Sequence, residues 1–119
     1  MCNIIGGYFT INGTVPYKAS CNATTSNVLG VQLRLGFDNV DVGKRFKVAM
    51  EIKTPGNTIK RATSPYQVVD AVTTFSLPFS AFGIVPSAGT YTTSNFTVYD
   101  TSGNIACQGS GTGSGACIS

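Results

Sequence analysis

The sequence predicts an all-β protein, an antiparallel immunoglobulin-like β-sandwich of about seven to eight short strands. Three observations lead there. Apolar and polar residues alternate with a period of two through several segments, and no segment shows helical periodicity with caps. Gly, Pro and Asn punctuate those segments where turns are needed. Charged residues make up 11% of the 119 residues, against roughly 25% in typical soluble domains, so Ser, Thr, Asn and Gly must supply the polar surface. Thr is β-branched and suits an exposed sheet face. The length allows one domain with one core, near the size at which covalent staples help.

Taken in order, Tyr8–Ile11 and Thr14–Tyr17 flank Asn12-Gly13, a strong hairpin signal. Pro16 has no N–H to donate, which makes the second arm an edge. Residues 22–27 form a polar loop. Val28–Phe37 reads as a strand with Val31, Leu33, Leu35 and Phe37 inward, and Asp38–Gly43 turns the chain. Lys44–Lys53 follows, with Phe46, Val48, Met50 and Ile52 on one face and Arg45, Lys47, Ala49, Glu51 and Lys53 on the other.

Thr54–Asn57 is a turn by composition, Thr58–Arg61 a short arm, and Ser64-Pro65 another turn. Between Tyr66 and Leu77 the pattern admits a strand or a short helix. Phe75, Leu77 and Phe79 then alternate with Ser76, Pro78 and Ser80. A turn at Pro86–Gly89 leads into a long strand, with Phe96 and Val98 on one face and Tyr91, Thr93, Asn95, Thr97 and Tyr99 on the other. Asp100–Asn104 forms a hairpin and the returning strand ends on Cys107. The expected division is a sandwich over 1–108 and a Gly/Ser-rich segment over 109–119, tethered if Cys117 is bridged.

Cys2, Cys21, Cys107 and Cys117 show no C-x-x-C spacing and the chain has no histidine, which argues against zinc. An even cysteine count in a small, low-charge chain reads as two disulfides, pairing Cys2 or Cys21 with Cys107 or Cys117. That chemistry, with sequons at Asn12, Asn22 and Asn95, points to a secreted or extracellular glycoprotein. The chain reads as a mature one carrying an added Met1. No segment approaches the ~18 apolar residues of a membrane span.

Net charge is +3, unevenly placed. All eight basic residues fall within 1–61, where three acids reduce them to +5; residues 62–119 carry only Asp70 and Asp100. Such asymmetry marks either a solvated strand face or an anionic partner, with Lys44, Arg45, Lys47 and Lys60 as the candidate contacts. No recognised nucleic-acid motif accompanies it.

Without histidine there is no Ser-His-Asp or Cys-His pair and no type 1 copper site. Asp38 and Asp41 share a turn, but two carboxylates make a poor calcium cage. The acids show no glycosidase-like pairing, and the Gly-rich segments lack the Lys and helix of a phosphate loop. The expectation is therefore a non-enzyme with no cofactor and no metal. Phe79–Pro86 carries four large apolar residues where a surface loop is expected, so they either fill the core or line an opening.

Phe75-Ser76-Leu77-Pro78-Phe79, Pro86-Ser87-Ala88-Gly89-Thr90-Tyr91, Thr97-Val98-Tyr99-Asp100 and Gly103-Asn104-Ile105-Ala106-Cys107 resemble the C-terminal half of MD-2-related lipid-recognition (ML) domains. Val42-Gly43-Lys44-Arg45-Phe46 is similar to that family's Gly-x-x-Phe strand start. The resemblance implies two splayed sheets holding a lipid or other apolar small molecule. Its wall would be Phe46, Val48, Met50, Ile52, Phe75, Leu77, Phe79, Phe82, Ile84, Phe96 and Val98, with Lys44, Arg45, Lys47 and Lys60 meeting an anionic headgroup. The same residues equally describe the core of a closed sandwich used for adhesion, display or assembly as a surface, fibre or spike domain contacting protein or glycan. Packing density between the sheets separates the two readings.

Overall fold

The structure is a computed structural model that describes residues 2–11, 29–84, 89–110 and 115–118. Within them lie nine strands: β1 (Cys2–Ile11), β2 (Leu29–Phe37), β3 (Arg45–Lys53), β4 (Ile59–Thr63), β5 (Gln67–Val68), β6 (Val72–Pro78), β7 (Gly89–Asp100), β8 (Ile105–Ser110) and β9 (Gly115–Ile118). The first sheet has the order β1-β2-β6; the second runs β4-β3-β7-β8, with β5 also on β3 and β9 also on β7. All described pairings are antiparallel.

β5 continues the line of β4 along β3, and β9 continues the line of β8 along β7. The nine segments thus fill seven strand positions, three facing four. In immunoglobulin lettering these are A-B-E against C′-C-F-G, the expected antiparallel sandwich. Beyond residue 108, Gly109 and Ser110 prolong β8, and Gly115–Ile118 join the second sheet opposite Gly89–Thr92. The Asn12-Gly13 hairpin, Pro16, the 22–27 loop, the Pro86–Ala88 part of the turn before β7, Cys21 and the sequons at Asn12 and Asn22 lie outside the described residues.

β2 and β3 follow the expected alternation. Val31, Leu33, Leu35 and Phe37 of β2 face Phe46, Val48, Met50 and Ile52 of β3 across the sandwich, all buried. Aromatic contacts bridge the layers at both ends: Phe37 lies 4.9 Å from Phe46, while Phe79 touches both Phe9 (6.1 Å) and Tyr91 (5.1 Å). Between Tyr66 and Leu77 the chain is extended, as β5 and β6, with no helix.

The apolar Phe79–Pro86 segment begins as a 3-10 turn over Phe79–Phe82, which eclipses residues three apart and sends both Phe79 and Phe82 into the core. Gly83 ends that turn at φ 70°, a left-handed position suited to glycine.

One expectation fails at β7. Tyr91 was expected on the polar face with Thr93 and Asn95, yet it is buried with 1% of its surface exposed. The pairing shifts here: Met50 opposes Phe96, but Ile52 opposes Thr93, so Ser94 and Asn95 together face Glu51. This bulge inserts one residue and inverts the alternation on its N-terminal side. Phe96 and Val98 point inward after it; Tyr91 and Thr93 point inward before it. Thr93 Oγ1 is consequently buried without a hydrogen-bond partner among the described residues.

The β4–β5 line is interrupted by Pro65, which cannot donate to the ladder. Ser64 compensates. Its N–H donates to Val48 O (2.8 Å), and its hydroxyl accepts the Val48 N–H (2.9 Å) while donating to Pro65 O (3.1 Å). A buried amide at the centre of the sheet is thereby satisfied.

The sheets are also joined covalently. Cys2 at the start of β1 is bonded to Cys107 of β8, with Cα atoms 5.6 Å apart and a sequence separation of 105. This is one of the terminus-to-terminus pairings expected. Beside it, Ile4 of β1 reaches across to Gly109 of β8, where a Cβ would lie 2.9 Å from Ile4 Cδ1. The glycine leaves room for that contact.

Replacing Cys2 and Cys107 together by Ser is expected to lower stability by up to about 4–5 kcal/mol, the chain-entropy value for so long a loop, read from the urea unfolding midpoint under oxidising conditions. Ser64→Ala leaves Val48 N–H buried and unpaired, and a loss of about 1–3 kcal/mol is expected from the same measurement. Thr93→Val acts in the opposite sense: removing a buried hydroxyl that has no partner among the described residues is expected to stabilise by about 1 kcal/mol.

Candidate functional site

The outer face of the second sheet gathers most of the chain's described positive charge. β3 alternates strictly, so Arg45, Lys47, Ala49, Glu51 and Lys53 point away from the core. Register places neighbours beside each. Arg45 sits opposite Val68 of β5; Lys47 opposite Tyr99, which in turn faces Ile105; Ala49 lies between Thr63 and Thr97, with Gln108 beyond. Arg61 of β4 opposes Glu51, and Lys53 lies between Ile59 and Thr92. The β3–β4 half of the face is thus basic, and the β7–β8 half is lined by hydroxyl and amide groups.

Tyr66 organises the basic half. The Lys47 ammonium lies 4.9 Å from the centre of its ring, and its hydroxyl donates to the carbonyl oxygen of Asp100 (3.2 Å). The ring therefore lies across β3 between the β4–β5 line and the end of β7. This contact holds Lys47 against an aromatic face while leaving Tyr66 42% exposed. Among the outward-facing residues of β3 and β4, Glu51 is the one acid. Both of its oxygens are engaged, one by Arg61 Nε and one by Asn95 Nδ2 (3.2 Å). With Glu51 internally paired, Arg45, Lys47 and Lys53 dominate the local field.

Three open depressions mark this sheet and its ends. One of about 420 Å³ lies over Glu51, Asn95, Thr97, Gln108 and Ser110, with the backbone at Phe96 and Gly109 as its floor. A second, of about 520 Å³, is at the end where the β2–β3 and β7–β8 loops meet, lined by Asp41, Lys44, Phe46, Asp100, Thr101, Ser102, Ile105 and Ala106. The third, about 490 Å³, lies at the opposite end around Lys53, Pro55, Asn57 and Thr90. In the second, the Asp100 carboxylate accepts the N–H groups of Ser102 and Asn104 (both 2.9 Å), which fixes the β7–β8 turn.

The four cations proposed to meet an anionic group do not form one cluster. Arg45 and Lys47 share the outer face of β3. Lys44 lies in the loop before β3, 3.8 Å from Asp41. Lys60 is on the inward side of edge strand β4, opposite Ile52. Arg61 is a member of the outer-face group that sequence reasoning missed, and Lys53, read correctly onto that face, was not among the candidate contacts. Arg61 could have been added from the turn at Thr54–Asn57, because a two-arm hairpin places it beside the outward Glu51.

The eleven proposed wall residues are brought together, but as a packed core. Val48, Met50, Ile52, Phe96 and Val98 have no accessible surface at all, and Phe46, Phe75, Phe79 and Phe82 are buried. Leu77 and Ile84 are half-buried against the same cluster. A side chain with no accessible surface adjoins no space the size of a water molecule. Asp38 stands at the N-cap of a 3-10 turn over Asn39–Asp41 and Asp41 ends it, and no three potential metal-ligating side chains gather among the described residues. No described helix is long and apolar enough to cross a membrane. Asn95 of the third sequon is exposed on the outer face beside Glu51.

No family model matches the chain, and no curated protein matches it either.

Proposed function

We propose that this chain is a secreted, non-catalytic β-sandwich module that works through its outer surface, and that the basic face of the second sheet binds an acidic glycan or a similarly anionic extracellular partner. The observation carrying this reading is the row of Arg45, Lys47 and Lys53 along one outer face, joined by Arg61, with Glu51, the one acid among the outward residues of β3 and β4, held by Arg61 and Asn95. Carboxylate or sulfate groups spaced along a sugar chain would meet that row electrostatically. The exposed Tyr66 ring and the hydroxyl and amide groups of Thr97, Gln108 and Ser110 offer sugar-facing contacts beside it. The Cys2–Cys107 disulfide fits an oxidising compartment.

The second reading, a lipid held between the sheets as in ML domains, is favoured by Leu77 and Ile84, which are half-buried at the margin of the core. It requires the sheets to part, since the remaining wall residues have little or no accessible surface. Opening them would expose apolar area at a cost of about 25 cal/mol per Å², which the ligand would have to restore.

Retention on immobilised heparin, read as the salt needed for elution, tests the proposal. Retention that falls with salt is expected, because exposed charges are screened over about 8 Å at physiological ionic strength. The pair Arg45→Glu and Lys47→Glu should weaken binding about tenfold or more, and Glu51→Gln should strengthen it. Retention indifferent to both changes overturns the proposal. Saturable displacement of a fluorescent fatty acid from the same preparation would move the assignment to the lipid reading.

A further inference from the structure

The four edges of the two sheets are not treated alike. On one side of the sandwich, β1 and β8 are joined by Cys2–Cys107 and by Ile4 lying over Gly109. On the other side, the β4–β5 edge carries Lys60 turned inward, Arg61 outward and Pro65 at the break between its two segments. Inward charges and proline are the usual obstacles to strand addition. Edge strand β6 carries no inward charge, and its one proline, Pro78, is its last residue. From Val72 to Pro78 it contains no charged residue, and its outer-face residues are Val72, 56% exposed, Thr74 and Ser76. Only its last residue lacks an N–H.

The hydrogen-bonding direction of this edge can be read from one contact. Gln67 Nε2 donates to Thr74 O (3.3 Å) from beyond the edge, so the Thr74 carbonyl points away from β2. By the alternation of an antiparallel ladder, the backbone groups of Val72 and Ser76 share that direction. A row of donors and acceptors is thus presented outward, occupied among the described residues only by a side-chain amide that a strand can displace.

We propose that this edge pairs antiparallel with β6 of a second copy of the chain, fusing two three-stranded sheets into one of six strands. A two-fold axis at Thr74 makes the edge its own complement: Thr74 faces its counterpart and Val72 faces the second copy's Ser76, donor against acceptor throughout. Charge permits it. Arg34 is the only charged residue on the three strands of the first sheet. In the fused sheet the two β2 strands carrying it stand three strand spacings apart, about 14 Å, beyond the ~8 Å screening length. The basic face lies on the other sheet, on the opposite side of each copy, and stays free.

The test is sedimentation velocity of the intact, oxidised protein from about 1 μM to 1 mM, with Thr74→Pro and Ser76→Lys beside it. Thr74→Pro removes an outward N–H at an edge position where proline is tolerated; Ser76→Lys adds a charge on an exposed side chain. A concentration-dependent dimer is expected, with its dissociation constant raised about tenfold or more by each variant that keeps the wild-type unfolding midpoint. A monomer throughout, or a dimer that Ser76→Lys and a folded Thr74→Pro leave unchanged, overturns the proposal. Heparin retention of both variants should match wild type, so failure here is separable from failure of the glycan reading.

Discussion

Everything else in this fold is arranged around the inner face of β3. Phe46, Val48, Met50 and Ile52 form a continuous apolar row that meets β2 across the sandwich and β7 beside it, and none of the four leaves appreciable surface to solvent. Burying such a row is favourable only if the backbone amides of the same strand are all paired. That constraint explains the irregular pieces around it. The Ser64 hydroxyl completes the ladder where Pro65 interrupts the neighbouring strand, and the bulge at Glu51 re-aims β7 so that Tyr91 as well as Phe96 can pack.

The two sides of the sandwich differ in kind. The β1–β8 side is closed by a covalent bond that removes entropy from the unfolded chain rather than adding packing. The side formed by β6 and the β4–β5 line is held by the Gln67 amide, by the Asp70 and Thr73 backbone–hydroxyl pair at the start of β6, and by Phe79 and Phe82 beneath. Any separation of the layers would hinge on the stapled side and open on the other. The same asymmetry leaves β6 as the exposed, uncharged edge, while charge is concentrated on the outer face of the opposite sheet.

Much of this was legible in the chain. The alternation in β2 and β3 is strict, so their inward residues are read correctly from spacing alone, and the Asp100–Asn104 turn is announced by its composition. Tyr91 was not legible. A bulge changes the phase of a strand without leaving a mark in hydropathy, because the extra residue, Ser94 or Asn95, is as polar as its neighbours. β1 was seen only from Tyr8 onward, since Gly6-Gly7 and the shift between Ile4 and Gly6 break its pattern. The basic face was legible along β3, where Arg45, Lys47 and Lys53 share one side, but not its continuation onto β4: Lys60 and Arg61 are adjacent in sequence and point to opposite sides of that strand.

By itself the sequence determined the class of fold, the strands of strict alternation, a cysteine pattern that reads as disulfide rather than metal and an excess of positive charge in its first half. These follow from local rules, in which period two, turn chemistry and composition each act over a few residues. Which cysteine meets Cys2, which strand edge is left open, and whether the apolar residues line a space or fill one were decided only by tertiary structure. Those outcomes depend on how distant strands register and pack, and one inserted residue in β7 is enough to exchange its inside for its outside.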